Sequence, residues 1–358
     1  YENAMEAYGE ALDIARDQHL QEWESDTLYR LGFTYRHLHR QMEAFRFFES
    51  GLKSAETIKN LPLMTLNVFG LGNVYEDIGE YNQALMCYED ALQGAENLED
   101  KSLNADVLTR NSALKLHIGY LDEAREMARV ANELIPENDP SYVRVEQDLL
   151  RADIYYARGM KENSVVLVEK ALKLAENLPN RRGFIQAKMR QAIMEMDRSR
   201  FRSAMEIMQT LERATETNHN DATAIERLLV WSRIYKGMNQ DEEAQQAAET
   251  ATIRADETRI PRLIWQTRHQ LGRLFQHQQK FQIARNEFER AEKIINRTAM
   301  SLDPSSRKVF IEQRDRLSLY QDYILLLLKL GHKEQANRIL GRVDSQILLK
   351  RIKHFFNE

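Results

Sequence analysis

A small residue recurs every forty positions along this chain, and that regularity limits its possible folds more than any other feature. Ala4, Ala44, Ala84, Ala124, Ser164, Ala204, Ala244 and Ala284 form one row. Twelve residues upstream of all but the first runs a second row: Gly32, Gly72, Ser112, Ala152, Ala192, Ser232 and Gly272. Repetition at such a period belongs to solenoids, where each unit buries its apolar face only by stacking on the next.

The rest of the repeat is helical. Four residues beyond the first row stand Tyr8, Phe48, Tyr88, Ala128, Val168, Met208, Ala248 and Phe288, and three further on come Ala11, Gly51, Ala91, Ala131, Ala171, Leu211, Ala251 and Ala291. Spacings of three and four lie on one helical face. Between the rows Gly79, Gly119, Gly159, Ser199 and Asn239 suit left-handed helix ends. Each repeat therefore reads as two antiparallel helices, A then B, with small residues where they cross. Pro62, Pro136, Pro140, Pro179, Pro261 and Pro304 fall in the B-to-A connections or first helical turns, where proline is tolerated.

These residues resemble the tetratricopeptide repeat (TPR). Its signature is similar to Leu31-Gly32…Tyr35…Ala44…Phe48, to Leu71-Gly72…Tyr75…Ala84…Tyr88…Ala91 and to Leu271-Gly272…Phe275…Ala284…Phe288…Ala291, with Pro136 at the place of the repeat-ending proline. Glu195 replaces the helix A aromatic in the repeat around Ala204. The resemblance implies an all-α, right-handed solenoid of about eight helix pairs with extended repeats. The array is expected over 1–300, its first repeat cut down to helix B. Residues 301–358 are expected to form an atypical terminal pair and a basic capping or docking helix.

The C-terminal reading rests on a break in period, since the next helix B alanine, Ala336, follows Ala284 by 52 residues, with the excess around 297–314. Residues 301–358 carry 11 Lys/Arg against 7 Asp/Glu, although the whole chain has a net charge of −5. The pair within 319–352 also resembles the segment that joins the repeats of bacterial TPR–CHAT proteins to their caspase-like domain. The start "YENAMEAYGE", without Met or a signal pattern, reads as a cut inside a longer protein.

Composition excludes several classes. An acidic balance argues against nucleic acid as the main partner, and no apolar run reaches membrane-spanning length. The single cysteine, Cys87, fits a reducing, cytoplasmic setting. "GLGNVY" (70–75) lacks the third glycine, the strand and the βαβ context of a dinucleotide loop, so Gly72 reads as a packing residue. Cys87 reads as packing and the histidines as surface residues, with His269 and His277 alone too few for a metal site. No catalytic residue, cofactor or metal is expected.

What remains is the concave groove that helix A lines in TPR folds. Two rows should face it: Phe33, Asn73, Ala113, Asp153, Ile193, Arg233, Arg273, and Tyr29, Phe69, Thr109, Leu149, Met189, Leu229, His269. A neighbouring row reads Arg30, Gly70, Arg110, Leu150, Arg190, Val230, extended by Arg36 and Lys236, and Gly70 would leave room there for a ligand. The arginines could hold carboxylates of an acidic peptide, or pair with the chain's own Glu76, Asp77 and Asp153. Tyr29, Phe33, Phe69 and Tyr156 would be the apolar anchors. The expectation is a non-catalytic scaffold for a protein or peptide partner, the sensing part of a larger protein. The alternative is the regulatory arm of an enzyme (a CHAT protease, or a signalling kinase or cyclase) whose catalytic domain lies outside this chain. Self-association and contact with such a domain are left open.

Overall fold

The computed structural model describes residues 2–136, 142–179, 181–214 and 222–356, all in helices and short turns. The helices are α1 (Glu2–Asp17), α2 (Gln21–His37), α3 (Gln41–Thr57), α4 (Leu61–Ile78), α5 (Tyr81–Asn97), α6 (Lys101–Ile118), α7 (Leu121–Leu134), α8 (Tyr142–Ala157), α9 (Lys161–Glu176) and α10 (Arg182–Asp197). They continue as α11 (Phe201–Ala214), α12 (Ala222–Gly237), α13 (Asp241–Thr258), α14 (Pro261–His277), α15 (Phe281–Met300), α16 (Pro304–Ile311), α17 (Arg314–Lys329), α18 (Lys333–Val343) and α19 (Gln346–Phe356). No strand occurs among the described residues. Pro140 lies outside them.

Turn chemistry enforces the period. Gly79, Gly119, Gly159, Ser199 and Asn239 all have positive φ, and His39 and Gln279 complete the same forty-residue row. A second left-handed row, His19, Lys59, Glu99 and Arg259, ends the B helices half a repeat later. Most of these residues are neither Gly nor Asn, so the tight turn, rather than residue preference, imposes the conformation. Asn60 and Asp100 then start α4 and α6 by accepting bonds from Leu63 N (3.1 Å) and from Ser102 N and Leu103 N (3.0 Å each). Pro62, Pro261 and Pro304 occupy first turns.

The crossing rows are buried. Ala44, Ala84, Ala124, Ser164, Ala204, Ala244 and Ala284 are all 0% exposed. Where serine replaces glycine or alanine, its hydroxyl bridges the crossing. Ser112 Oγ donates to Ala124 O (2.7 Å), Ser164 Oγ to Ala152 O (2.7 Å) and Ser232 Oγ to Ala244 O (2.8 Å). Each buried bond contributes on the order of 1 kcal/mol. Ser112→Ala, Ser164→Ala and Ser232→Ala are therefore expected each to lower unfolding free energy by about 1 kcal/mol in urea titrations. A change near zero in all three would show the bridges to be incidental.

The chain divides into two compact units, Tyr1–Phe184 and Ile185–Glu358, with the boundary inside α10. In the first, α1 precedes the pairs α2–α3, α4–α5, α6–α7 and α8–α9. The second holds the pairs α12–α13, α14–α15 and α17–α18. Its break in period is filled by a lengthened α15 and the short α16. Within the first unit α2 also touches α4, and α6 touches α8, while no two B helices make comparable contact among the described residues. Helix A thus forms the inner layer of the unit. No described helix is long and apolar enough to cross a membrane.

Candidate functional site

The inner face of the N-terminal unit brings together side chains from successive A helices. Arg36 of α2 donates through Nε and Nη2 to the Asp77 carboxylate of α4, at 2.6 and 3.1 Å. Arg110 of α6 reaches Glu146 of α8 at 3.1 Å. These side chains keep between 15% and 28% of their surface accessible, as residues lining a hollow do. Burial works against the Arg36 charge, but Asp77 outweighs it and holds the guanidinium protonated. Glu146 does the same for Arg110.

Between these pairs Tyr88 rises from α5. Its hydroxyl donates to Glu76 at 2.6 Å and lies 3.2 Å from Asn73 Oδ1. Burial pushes both the Glu76 carboxyl and the Tyr88 phenol above their ordinary values. Two further titratable groups face this network far from their ordinary values. Burial and then Glu146 push the Asp106 carboxyl up to about 6, while burial and the nearby Arg36 and Arg182 bring His37 down to about 4. Burial, and after it the charge of Asp106 on α6, raises the Tyr29 phenol on α2, so the inner surface couples distant repeats.

Phe33 is 45% exposed and meets His37 edge-on at 4.5 Å, an apolar side chain open to solvent. Tyr29 and Phe69 are half-buried against the rings of Phe48 (5.8 Å) and Tyr88 (5.9 Å) on the partner helices. Asn73 is 6% exposed and donates to Phe69 O of its own helix at 2.9 Å. Tyr156 is half-buried, with the Lys161 ammonium 6.0 Å from its ring centre. Arg30 pairs along its own helix with Asp26 at 2.7 Å. Arg190, Arg233 and Arg273 belong to the C-terminal unit. There Arg190 donates to Gln186 O at 3.2 Å, Arg233 is exposed on α12, and Arg273 lies 3.6 Å from Asp322.

The structure corrects the expectation for Gly70. It is buried, and a Cβ there would come within 2.3 Å of the Phe48 ring. Gly70 makes room for a core aromatic, not for a ligand. Leu150 and Val230 of the same row are buried too, whereas Arg30 and Arg110 keep 52% and 28% of their side chains accessible, so the row holds core and accessible positions by turns. Gly72 is likewise covered by the Tyr88 ring, which would stand 2.8 Å from a Cβ there. Cys87 packs beside it, and burial, then Asp90, pushes its thiol up to about 11, leaving it protonated at neutral pH. His269 and His277 bond separate partners, Asp322 and Lys236.

Reading by rows of apolar and basic residues passes over Asp106 and Glu146, although the sequence carries a signal for both. Asp26, Asp106, Glu146 and Glu226 share one register of the forty-residue period, four residues ahead of the row that holds Arg30 and Arg110. Arg30 pairs with Asp26 of that register within α2, and Arg110 with Glu146 of that register on the next A helix.

A family model described as "Tetratricopeptide repeat" matches residues 68–96, from α4 through α5. The chain carries a tetratricopeptide repeat. The match covers the stretch in which Gly72, Ala84 and Tyr88 interlock. No curated protein matches the chain by sequence. Solved TPR-like structures match its fold. A Rap protein complexed with competence and sporulation factor aligns at TM-score 0.65 and 16% identity, over 99% of this chain and 98% of that one. The Rap conjugation gene regulator of plasmid pLS20, in complex with the Phr* peptide, aligns at 0.60 and 11%, over 98% and 96%. Yeast Tom70 aligns at 0.50 and 15%, over 99% of this chain and 63% of that one. At these identities the likeness establishes an all-α, TPR-type helical-repeat fold. The resemblance of 319–352 to TPR–CHAT proteins has no counterpart among these three.

Proposed function

We propose that this chain is a non-catalytic TPR scaffold that holds a peptide or protein segment on the inner face of its N-terminal unit, as the sensing part of a regulated protein. The observation that carries the reading is the convergence of partly accessible polar groups from α2, α4, α6 and α8 beside the open ring of Phe33. Such a surface offers paired donors and acceptors to an extended backbone and an apolar anchor to one side chain. Two of the matched structures are Rap proteins with a bound peptide or factor, one of them a gene regulator, which supports the same use here. Because Arg30, Arg36 and Arg110 already face Asp26, Asp77 and Glu146, recognition rests on shape and hydrogen bonding more than on an acidic partner. A half-buried, protonated Cys87 suits a reducing, cytoplasmic setting.

Panning a random peptide library against the whole chain tests this reading. Selected peptides should bind Phe33→Asp at least about tenfold more weakly, the loss of one buried apolar anchor. Met86→Asp, at a 54% exposed site on α5, should bind as the wild type does. Peptides indifferent to Phe33→Asp, or no binders at all, would sink the groove reading.

A further inference from the structure

The fourth A–B pair of the N-terminal unit departs from its own repeat. At the register of Asp148, α2, α4 and α6 carry Leu28, Val68 and Leu108, and at the register of Arg151, α2 and α4 carry Leu31 and Leu71. Apolar core residues have thus been exchanged for charges in α8. Asp148 is 0% exposed and Arg144 is 2% exposed. Arg144 Nε lies 3.9 Å from Asp148, Arg151 Nη1 3.4 Å and Lys170 Nζ of α9 3.7 Å. Three cations therefore surround one carboxylate, and none of them comes closer to it than 3.4 Å.

Replacing packed leucines by buried ions does not stabilise a fold. A contrasting cluster in the C-terminal unit shows what a structural solution looks like: Arg268 donates to Glu287 at 2.8 Å and to Asp256 at 2.6 Å, at short range on both sides. At α8 the geometry is the reverse: Arg144 Nη1 reaches Asn132 O only at 3.4 Å, and its buried Nε has no hydrogen-bond partner among the described residues. Arg144, Arg151 and Lys170 line a cavity of about 470 Å³ whose wall also includes Asn132, Leu167 and Pro136. Asn132 Oδ1 accepts from Arg151 Nη1 at 2.9 Å and so aims that guanidinium. Glu133, also on the wall, is bound by Arg129 at 2.6 Å.

We propose that this cavity binds a phosphoryl group, as free phosphate or as a small phosphate monoester. Guanidinium groups present forked donors that suit phosphate oxygens, and a monoester carries about −1.5 to −2 charge at neutral pH, which complements two guanidinium groups set against a single carboxylate. The volume falls within the range of small-molecule sites. The cavity is formed by α7, α8 and α9 and shares no residue with the inner-face network above, so it stands whether or not that face binds a peptide.

Thermal unfolding of the whole chain, with inorganic phosphate exchanged for chloride at constant ionic strength, tests the proposal. The wild type should show a saturable rise in Tm. Arg151→Leu, which restores the residue of α2 and α4, should raise the half-saturating phosphate concentration at least about tenfold, as loss of a charged hydrogen bond does. Lys170→Ala changes a side chain that is 41% exposed, so it should fold normally and move half-saturation in the same direction. Tighter half-saturation by glycerol phosphate than by inorganic phosphate would identify a monoester ligand, and the reverse order the free ion. A rise that is absent, unsaturable, or unchanged in both variants would overturn the proposal.

Discussion

Phe48→Ala is expected to remove about 3–5 kcal/mol from the stability of the N-terminal unit, the cost of emptying a fully buried aromatic site. Phe48 is 1% exposed, and its ring fills the space left by two glycines, Gly32 and Gly70, where a Cβ would stand 2.8 and 2.3 Å away. Gly70→Ala alone should cost roughly 1–3 kcal/mol, because the ring must shift within a closed core. The decisive variant combines Gly70→Ala with Phe48→Leu. The smaller side chain vacates the volume the new methyl needs, so the double variant should be more stable than the two single costs predict, by about 1 kcal/mol or more. Urea denaturation of the four proteins measures that coupling. Additive costs, or a Gly70→Ala chain of unchanged stability, would mean that the ring does not define the glycine, and the space at Gly70 would again need another occupant.

That case shows how much the residues disclose before any coordinates. The rows through Ala84 and Gly72 follow from period alone, because close helix crossings tolerate only small side chains and each repeat must solve the same packing problem. Turn positions are legible only where glycine, serine or asparagine marks them. His39, Gln279, Lys59 and Glu99 adopt the same left-handed backbone without any such mark. Gly70 misleads because a register row fixes an angle around the helix axis but not what the next pair places there. Leu150 and Val230 in that row already point to a core position. The arginines show the same limit. Arg36 and Arg110 do line the inner face, and their partners, Asp77 and Glu146, come from the next A helix; spacing offers such acids as candidates but does not fix which one each arginine meets. Short α16, inserted where the period lengthens, is visible as twelve extra residues but not as a helix.

The pH dependence of stability is the second large effect, and it comes from the same inner face. Asp106 has an ordinary value of 3.8 and sits at about 6 in the folded chain. The native state therefore holds that proton more tightly than the unfolded chain does, and stability falls as pH rises from about 4 to 6. Two units correspond to about 3 kcal/mol, reduced to roughly 1–2 kcal/mol by the water that still reaches this half-buried group. His37 works from the other side. Its value drops from 6.5 to about 4, so the native state disfavours the charged ring and stability is lost as pH falls through that interval, by a comparable amount. Asp106→Asn should thus gain on the wild type above pH about 4, reaching a plateau above pH about 6. His37→Gln should gain only below pH about 6.5, most near pH about 4. Urea denaturation at closely spaced pH steps measures both differences, and a pH-independent difference for either variant would show that folding leaves the group's proton affinity where it was. The two costs overlap between pH about 4 and 6, where neither residue stabilises the fold that carries it. A surface that keeps a carboxylate and an imidazole at a loss, beside arginines whose charge is committed to other acids, is not optimised for stability, which is the pattern expected of the binding face proposed above.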